Sequence, residues 1–185
     1  LPDARRIYID LGARNPTGWT SSIGKFHKRY PGGPSFHTYA FEAQHRYKEM
    51  YKGLPNITFI EAAVATFDGD CFFNNNDEEG SSMSTVKRND NDISLHCMDL
   101  LKWMNHHLKP KDLVVMKMDV EGFECAVLAG SSSLFTRYRP SVVLMEGKYY
   151  ASKRCALSTA ASHNYTVHSL NDRDHNLVWV RDPHT

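Results

Sequence analysis

Three acids, Asp119, Glu121 and Glu124, crowd the end of the stretch "VVMKMDVEGFE" at residues 114–124, and Lys117 interrupts the apolar run ahead of them. A carboxylate can accept hydroxyl hydrogen bonds, attract a cation or take a proton from a reacting group. Side chains alternate along a strand, so Lys117 and Asp119 share a side and are expected to pair near the strand end. Asp119 is assigned to a site, because a strand-end acid in a cleft has few structural duties. Glu121 has two readings: a general base reaching into the cleft, or a complement to a helix N-terminus worth about 0.3–1 kcal/mol. The second role is the one expected of Glu124. Asp10 in "RIYIDLG" and Glu42 in "FHTYAFEA" close two further β-rich runs.

Those acids need strands to hold them. Residues 6–12 read as a strand, followed by Trp19, Ile23, Phe26 and Tyr30 at helical spacing. Residues 36–43 read as a second strand, with Ala43, Tyr47, Met50 and Leu54 as the next helical stripe. "NITFIEAAVA" (56–65) reads as one third strand, and "GDCFFNN" as an extra strand paired behind it. Residues 73–92 are polar and aperiodic, and a loop that long is usually either disordered or functional. Order resumes at Asp99, a good N-cap for a helix that turns Leu100, Leu101, Met104 and Leu108 inward. The acid-tipped stretch is then the fourth strand, Phe123, Val127, Gly130 and Leu134 mark a helix, and "SVVLMEG" (141–147) is a fifth strand. "YTVHSL" and "NLVWVR" read as a closing hairpin around "NDRDH".

Strands alternating with helices imply an α/β fold with a mostly parallel central sheet, helices on both faces and a C-terminal antiparallel hairpin. Such sheets bind ligands beyond the carboxyl ends of their strands. If strands one, two and four are neighbours, Asp10, Glu42 and Asp119 line one rim.

With 41% hydrophobic residues, 185 residues can bury one core, so a single domain over 1–185 is expected. Leu1-Pro2 open the chain without an initiator Met, which leaves room for a targeting or anchoring segment upstream in a longer chain. No apolar run approaches the ~20 residues of a membrane span. Lys and Arg total 22 against 21 acids, a net charge of +1, so no overall field draws the protein to nucleic acid or an anionic membrane. Cys71, Cys97, Cys125 and Cys155 lack the close spacing of metal or redox motifs; buried free thiols are expected rather than one of the three possible disulfide pairings. The sequons Asn56-Ile57-Thr58 and Asn164-Tyr165-Thr166 fit a secretory route, although chance supplies such triplets in a chain rich in Asn, Ser and Thr. Cytoplasm and secretory-pathway lumen both stay open.

A dinucleotide site wants G-x-G-x-x-G, and residues 12–18 lack its second Gly; a phosphate-binding G-x-x-x-x-G-K-[ST] is absent too. That disfavours a nicotinamide oxidoreductase. An acidic rim repels phosphates but suits a ligand with an ammonium and a sulfonium, such as S-adenosylmethionine, and Glu42 can accept both ribose hydroxyls.

The segments "YIDLGARN", "YAFEA", "EAAVATFDGDCFF", "GSSM", "CMDLL", "MKMDVEGFECAVLAG" and "RPSVVLMEG" resemble the FkbM-type methyltransferases, within the Rossmann-like S-adenosylmethionine-dependent group. The resemblance runs from about Ile7 to Glu146, and the fourth-strand motif with "RPSVVLMEG" is its specific part. It implies that Asp10, Gly12, Ala13 and Asn15 form the first cofactor loop, Glu42 holds the ribose, Ala43 and Ala63 border the adenine, and Asp119 faces the methionine end or the acceptor. The loop at Gly80-Ser81-Ser82-Met83 is implied to fold over the site. Arg14 and Pro16 depart from the small or apolar residues common there. By resemblance the reaction is O-methylation of a sugar or small natural product, with Asp119, Glu121 and Lys117 as catalytic candidates. The alternative is a catalytically silent S-adenosylmethionine-binding or interaction domain. His106-His107 read as solvated surface, Asp99 as a cap, and Glu146 as either an acceptor-side group or a local hydrogen-bonding partner.

Overall fold

The computed structural model describes residues 4–18, 20–73, 83–87, 90, 92–120, 123–148, 150–170 and 175–182. Strand β1 (Arg6–Leu11) leads through helix α1 (Ser22–Arg29) to β2 (His37–Glu42), and a 3-10 helix (His45–Tyr51) leads on to β3 (Ile57–Glu61). Three strands follow, β4 (Ala63–Ala65), β5 (Gly69–Phe73) and β6 (Met83–Ser84), then β7 (Ile93–Asp99), α2 (Leu100–His107) and β8 (Leu113–Met118). Helices α3 (Glu124–Gly130) and α4 (Ser132–Arg137), β9 (Val142–Met145), α5 (Tyr150–Ser162), β10 (Tyr165–Ser169) and β11 (Leu177–Arg181) complete the fold.

The central sheet has the order β10-β11-β9-β8-β1-β2-β3. Strands β3, β2, β1, β8 and β9 run parallel, and β11 is antiparallel to both β9 and β10. Both faces are covered, as strand alternation requires. Ile7, Ile9 and Leu11 of β1 join Val114, Met116 and Met118 of β8 in a cluster with side chains from α2, α3, α4 and α5. Tyr8, Ala40 and Val115 point the other way, into a cluster with Ile23 of α1, Phe36 and Tyr51. Phe26 anchors α1 there, its ring 3.9 Å from that of Tyr8 and 8° from parallel, with Phe36 edge-on at 5.2 Å. Such ring pairs add about 0.5–1.5 kcal/mol beyond area burial. On the opposite face Trp103 meets Tyr39 and Phe41 edge-on at 4.8 and 4.9 Å. Asp99 caps α2 as expected, accepting from the Lys102 amide at 3.0 Å.

Several expectations are corrected. The segment 56–65 is two strands: the Ala62 amide donates back to the Ile60 carbonyl at 3.0 Å, a turn that sends β4 into a second sheet of order β4-β7-β5-β6. Strand β5 therefore pairs with β7 and β6 rather than behind β3. Strand β7 fills the stretch left unassigned between the loop expected over 73–92 and the helix cap at Asp99. The expected stripe at Ala43, Tyr47, Met50 and Leu54 is a 3-10 helix that buries Tyr51 and leaves Met50 47% exposed, because its tighter period changes which residues share a face. Helix α5 was unforeseen; its buried residues are Ser152, Ala156 and Ala160, small side chains that hydropathy does not flag.

The expectation of free thiols is also overturned. Cys71 and Cys97 form a disulfide between β5 and β7, and Cys125 and Cys155 form one between α3 and α5, each with Cα atoms 5.7 Å apart. Adjacent antiparallel strands and packed helices bring together cysteines 26 and 30 residues apart.

Candidate active site

The sheet order reverses direction between β1 and β8, the switch point at which open α/β sheets form a crevice beyond their strand ends. Asp10 and Lys117 are register partners across these two strands. Lys117 Nζ lies 3.4 Å from Asp10 Oδ1 and 3.1 Å from Asp119 Oδ2, and it donates to the Gly12 carbonyl at 3.1 Å. The pairing of Lys117 with Asp119 is the one strand alternation predicts; the bond to Asp10 depends on strand order. Asp10 is fully buried and takes a further hydrogen bond from Ser22 at the start of α1. Its Oδ1 has no hydrogen-bond partner among the described residues. Burial pulls the Lys117 ammonium down, but the charges and hydrogen bonds of Asp10 and Asp119 outweigh it and hold the group above its ordinary value. Lys117 is therefore a fixed cation, with Asp119, 31% exposed, as the outward-facing member of the trio.

The loop after β1 is held from both sides. The amides of Gly12 and Ala13 both donate to the Phe41 carbonyl, at 3.0 and 2.9 Å, and the Asp119 amide donates to Leu11 at 3.1 Å. Gly12 has φ +79, and a Cβ there would sit 1.9 Å from the Asp119 carbonyl oxygen, so only glycine lets the two segments meet. Arg14 follows at φ +50, and Tyr51 secures it by donating to its carbonyl at 2.8 Å. Asn15 closes its own turn, accepting from the Thr17 amide at 2.9 Å and hydroxyl at 3.2 Å.

Glu42 ends β2 almost buried, its two oxygens accepting from the amides of Arg14 at 2.9 Å and Gln44 at 2.8 Å. Burial raises its carboxyl above the ordinary value, against the lowering effect of those amides. Ala43 and Ala63 meet in one small cluster with Cys71 and Cys97, and Cys97 is the register partner of Ala63. The cystine thus packs in the same cluster as both alanines.

Glu124 is buried, accepting from the Val120 amide at 3.0 Å and the Ser152 hydroxyl at 3.1 Å; it ties the start of α3 to α5. His107 stacks on Trp103 with ring centroids 4.4 Å apart. Glu121, Trp19 and residues 80–82 lie outside the described residues, as does the Met83 side chain. Ser22 and Tyr51 are the contributors that sequence reasoning missed. The only hint for Ser22 is its place beside Ser21, the N-cap of α1.

A parallel sheet in this strand order, closed by the β10–β11 hairpin and carrying carboxylates at its switch point, defines a Rossmann-like methyltransferase fold. Its backbone resembles the crystal structure of a precorrin-6y C5,15-methyltransferase from Geobacter metallireducens GS-15, with a TM-score of 0.50, 11% identity, and coverage of 96% of this chain and 82% of that one. At that identity the likeness concerns the fold alone. A protein from Legionella pneumophila str. Philadelphia 1 matches with a TM-score of 0.49 and 10% identity, over 98% of this chain and 78% of that one. No curated protein matches the chain. Residues 10–164 match the methyltransferase FkbM domain, and the chain belongs to that family.

Proposed function

We propose that this domain transfers a methyl group from S-adenosylmethionine to a hydroxyl oxygen of a sugar or small natural product. The observation that carries the reading is the Asp10–Lys117–Asp119 network beneath the Gly12 turn. The trio has two acids to one cation and Glu42 stands on the same rim, which suits a ligand bearing an ammonium and a sulfonium. The residues present fit that donor: the loop offers a tight backbone turn where a nucleotide-binding loop would cradle phosphate, and Asp119, paired with Lys117, keeps a part-exposed carboxylate beside it.

The donor supplies an electrophilic methyl on a positively charged sulfur. Around it, Gly12, Ala13 and Asn15 form the border at the methionine end, and Asp119 faces the ammonium or the acceptor. Glu42, pinned by two amides, keeps lone pairs for the ribose hydroxyls. Ala43 and Ala63 flank the adenine. Asp10 works from below, holding Lys117 and Ser22, and Lys117 in turn holds the Gly12 carbonyl. Lys117 is therefore a positioning residue rather than a base. Alignment of acceptor and methyl supplies roughly 7–11 kcal/mol, against ~10²–10⁴-fold in rate from a base. Glu121 is the proposed base for a hydroxyl acceptor.

The test is a screen of glycan and small hydroxyl acceptors with isotopically labelled donor, next to calorimetric titration of the donor. The expected outcome is saturable donor binding and label on acceptor oxygen, with Glu121→Gln slowing turnover far more than it weakens donor binding. Label on nitrogen or carbon would refute the O-methyl assignment. Tight binding without transfer to any acceptor would favour the silent-domain alternative.

A further inference from the structure

The chain has three Asn-x-Thr triplets, and the fold sorts them by position. Asn15-Pro16-Thr17 sits in the loop at the candidate site, and the intervening Pro makes it unusable as an N-glycosylation acceptor. The other two lie at the opposite end of the sheet. Asn56 immediately precedes β3, and Asn164 precedes β10; these are the two edge strands. Strand β10 is antiparallel to β11, which is antiparallel to β9, so β10 runs in the same direction as β3. Both asparagines therefore lie at the amino ends of their strands. Following the pairing from Ile57 through Thr38, Tyr8, Val115, Val142 and Val180 to Thr166 puts the two triplets at one level on opposite edges.

Each of these asparagines is exposed, as are Thr58 and Thr166. Asn56 and Asn164 adopt φ +58 and +60, a left-handed turn that Asn tolerates. Turn geometry alone accounts for Asn at these positions. It does not account for the coincidence with two closed disulfides, which persist where thiols are oxidised.

We propose that Asn56 and Asn164 are N-glycosylation sites of a domain that matures in an oxidising secretory compartment. The reading is independent of the methyltransferase assignment. At each site the Asn Nδ2 would bond to the anomeric carbon of a lipid-diphosphate-linked oligosaccharide; the C–O bond to the diphosphate breaks, the lipid diphosphate leaves, and one amide proton is lost to base. Each cysteine pair passes two electrons and two protons to a protein disulfide donor, which departs as a dithiol. Glycans at these positions emerge from the end of the sheet opposite the cleft and leave the donor route open.

The test is expression of the full chain behind a secretory leader in eukaryotic cells, with intact mass measured before and after treatment with a peptide-N-glycosidase. Two glycans are expected, one lost in Thr58→Val, the other in Thr166→Val and both in the double variant; each change keeps the turn Asn and a β-branched strand residue. Non-reducing peptide maps should link Cys71 to Cys97 and Cys125 to Cys155. Secreted parent protein of unmodified mass overturns the proposal, and a single occupied triplet overturns it for the vacant one. Thiols that label without reductant overturn the oxidising compartment.

Discussion

Replacing Lys117 by Met keeps most of the side-chain volume and removes the one described cation within reach of Asp10. The Lys117 side chain is 12% exposed and that of Asp10 not at all, so the pair belongs to the buried class. Breaking such a pair from one side costs about 3–5 kcal/mol, because the remaining charge is stranded. Only the neutral hydroxyls of Ser22 and Tyr8 would then answer the Asp10 carboxylate, and the Gly12 carbonyl would lose its bond to Lys117. Urea unfolding at neutral pH should show that loss as a lower midpoint with an unchanged slope. Adding Asp10→Asn should recover a large part of it, since a neutral amide does not need the ammonium. The pH profile gives a second readout. Lys117 is held above its ordinary 10.5 in the folded state, so its stabilising contribution is complete below that value and fades as pH rises through the folded value. The Met variant should lack that alkaline decline. A loss below about 1 kcal/mol, the scale of an exposed pair, would refute the reasoning.

Other changes test the remaining parts. Glu42 has a raised carboxyl value in the folded state, so folded protein binds more protons and stability should fall as pH climbs past 4.5. Glu42→Gln should flatten that fall in urea midpoints taken between about pH 4 and 8, and should weaken donor affinity by roughly tenfold or more in titration. Each disulfide closes a loop of 26 or 30 residues, which the chain-entropy relation values at about 3.5 kcal/mol. Paired Cys→Ala variants should each lose stability on that scale in denaturant melts, and loss of both bonds should bring the domain close to unfolding, given typical stabilities of about 5–15 kcal/mol. Removing Cys71–Cys97 should weaken donor binding more than removing Cys125–Cys155, because Cys97 pairs with Ala63; equal effects would separate the cystine from the adenine wall.

Alternation and helical spacing made β1, α1, β2, α2, β8, β9 and the closing hairpin legible, because each pairs an apolar face with a polar one. Strand β7 escaped because Cys97 is its one fully buried residue and Ile93 is 45% exposed. The break at Ala62 escaped because "NITFIEAAVA" is apolar on both sides of the turn, and hydropathy cannot tell one sheet from two. The cystines join elements that only the tertiary fold brings together. At the site, the Lys117–Asp119 pair needed only local periodicity. The Asp10–Lys117 partnership needed the order of strands, and the Tyr51 clamp on Arg14 spans 37 residues without any local signal.

The abutment of Gly12 on Asp119 leaves no slack between the two banks of the cleft. Parting the two banks would break the hydrogen bond from the Asp119 amide to the Leu11 carbonyl and the packing of Gly12 on Asp119, so they are expected to move together. A site already braced in this way has less conformational freedom to lose when a ligand arrives, which is the advantage of preorganisation.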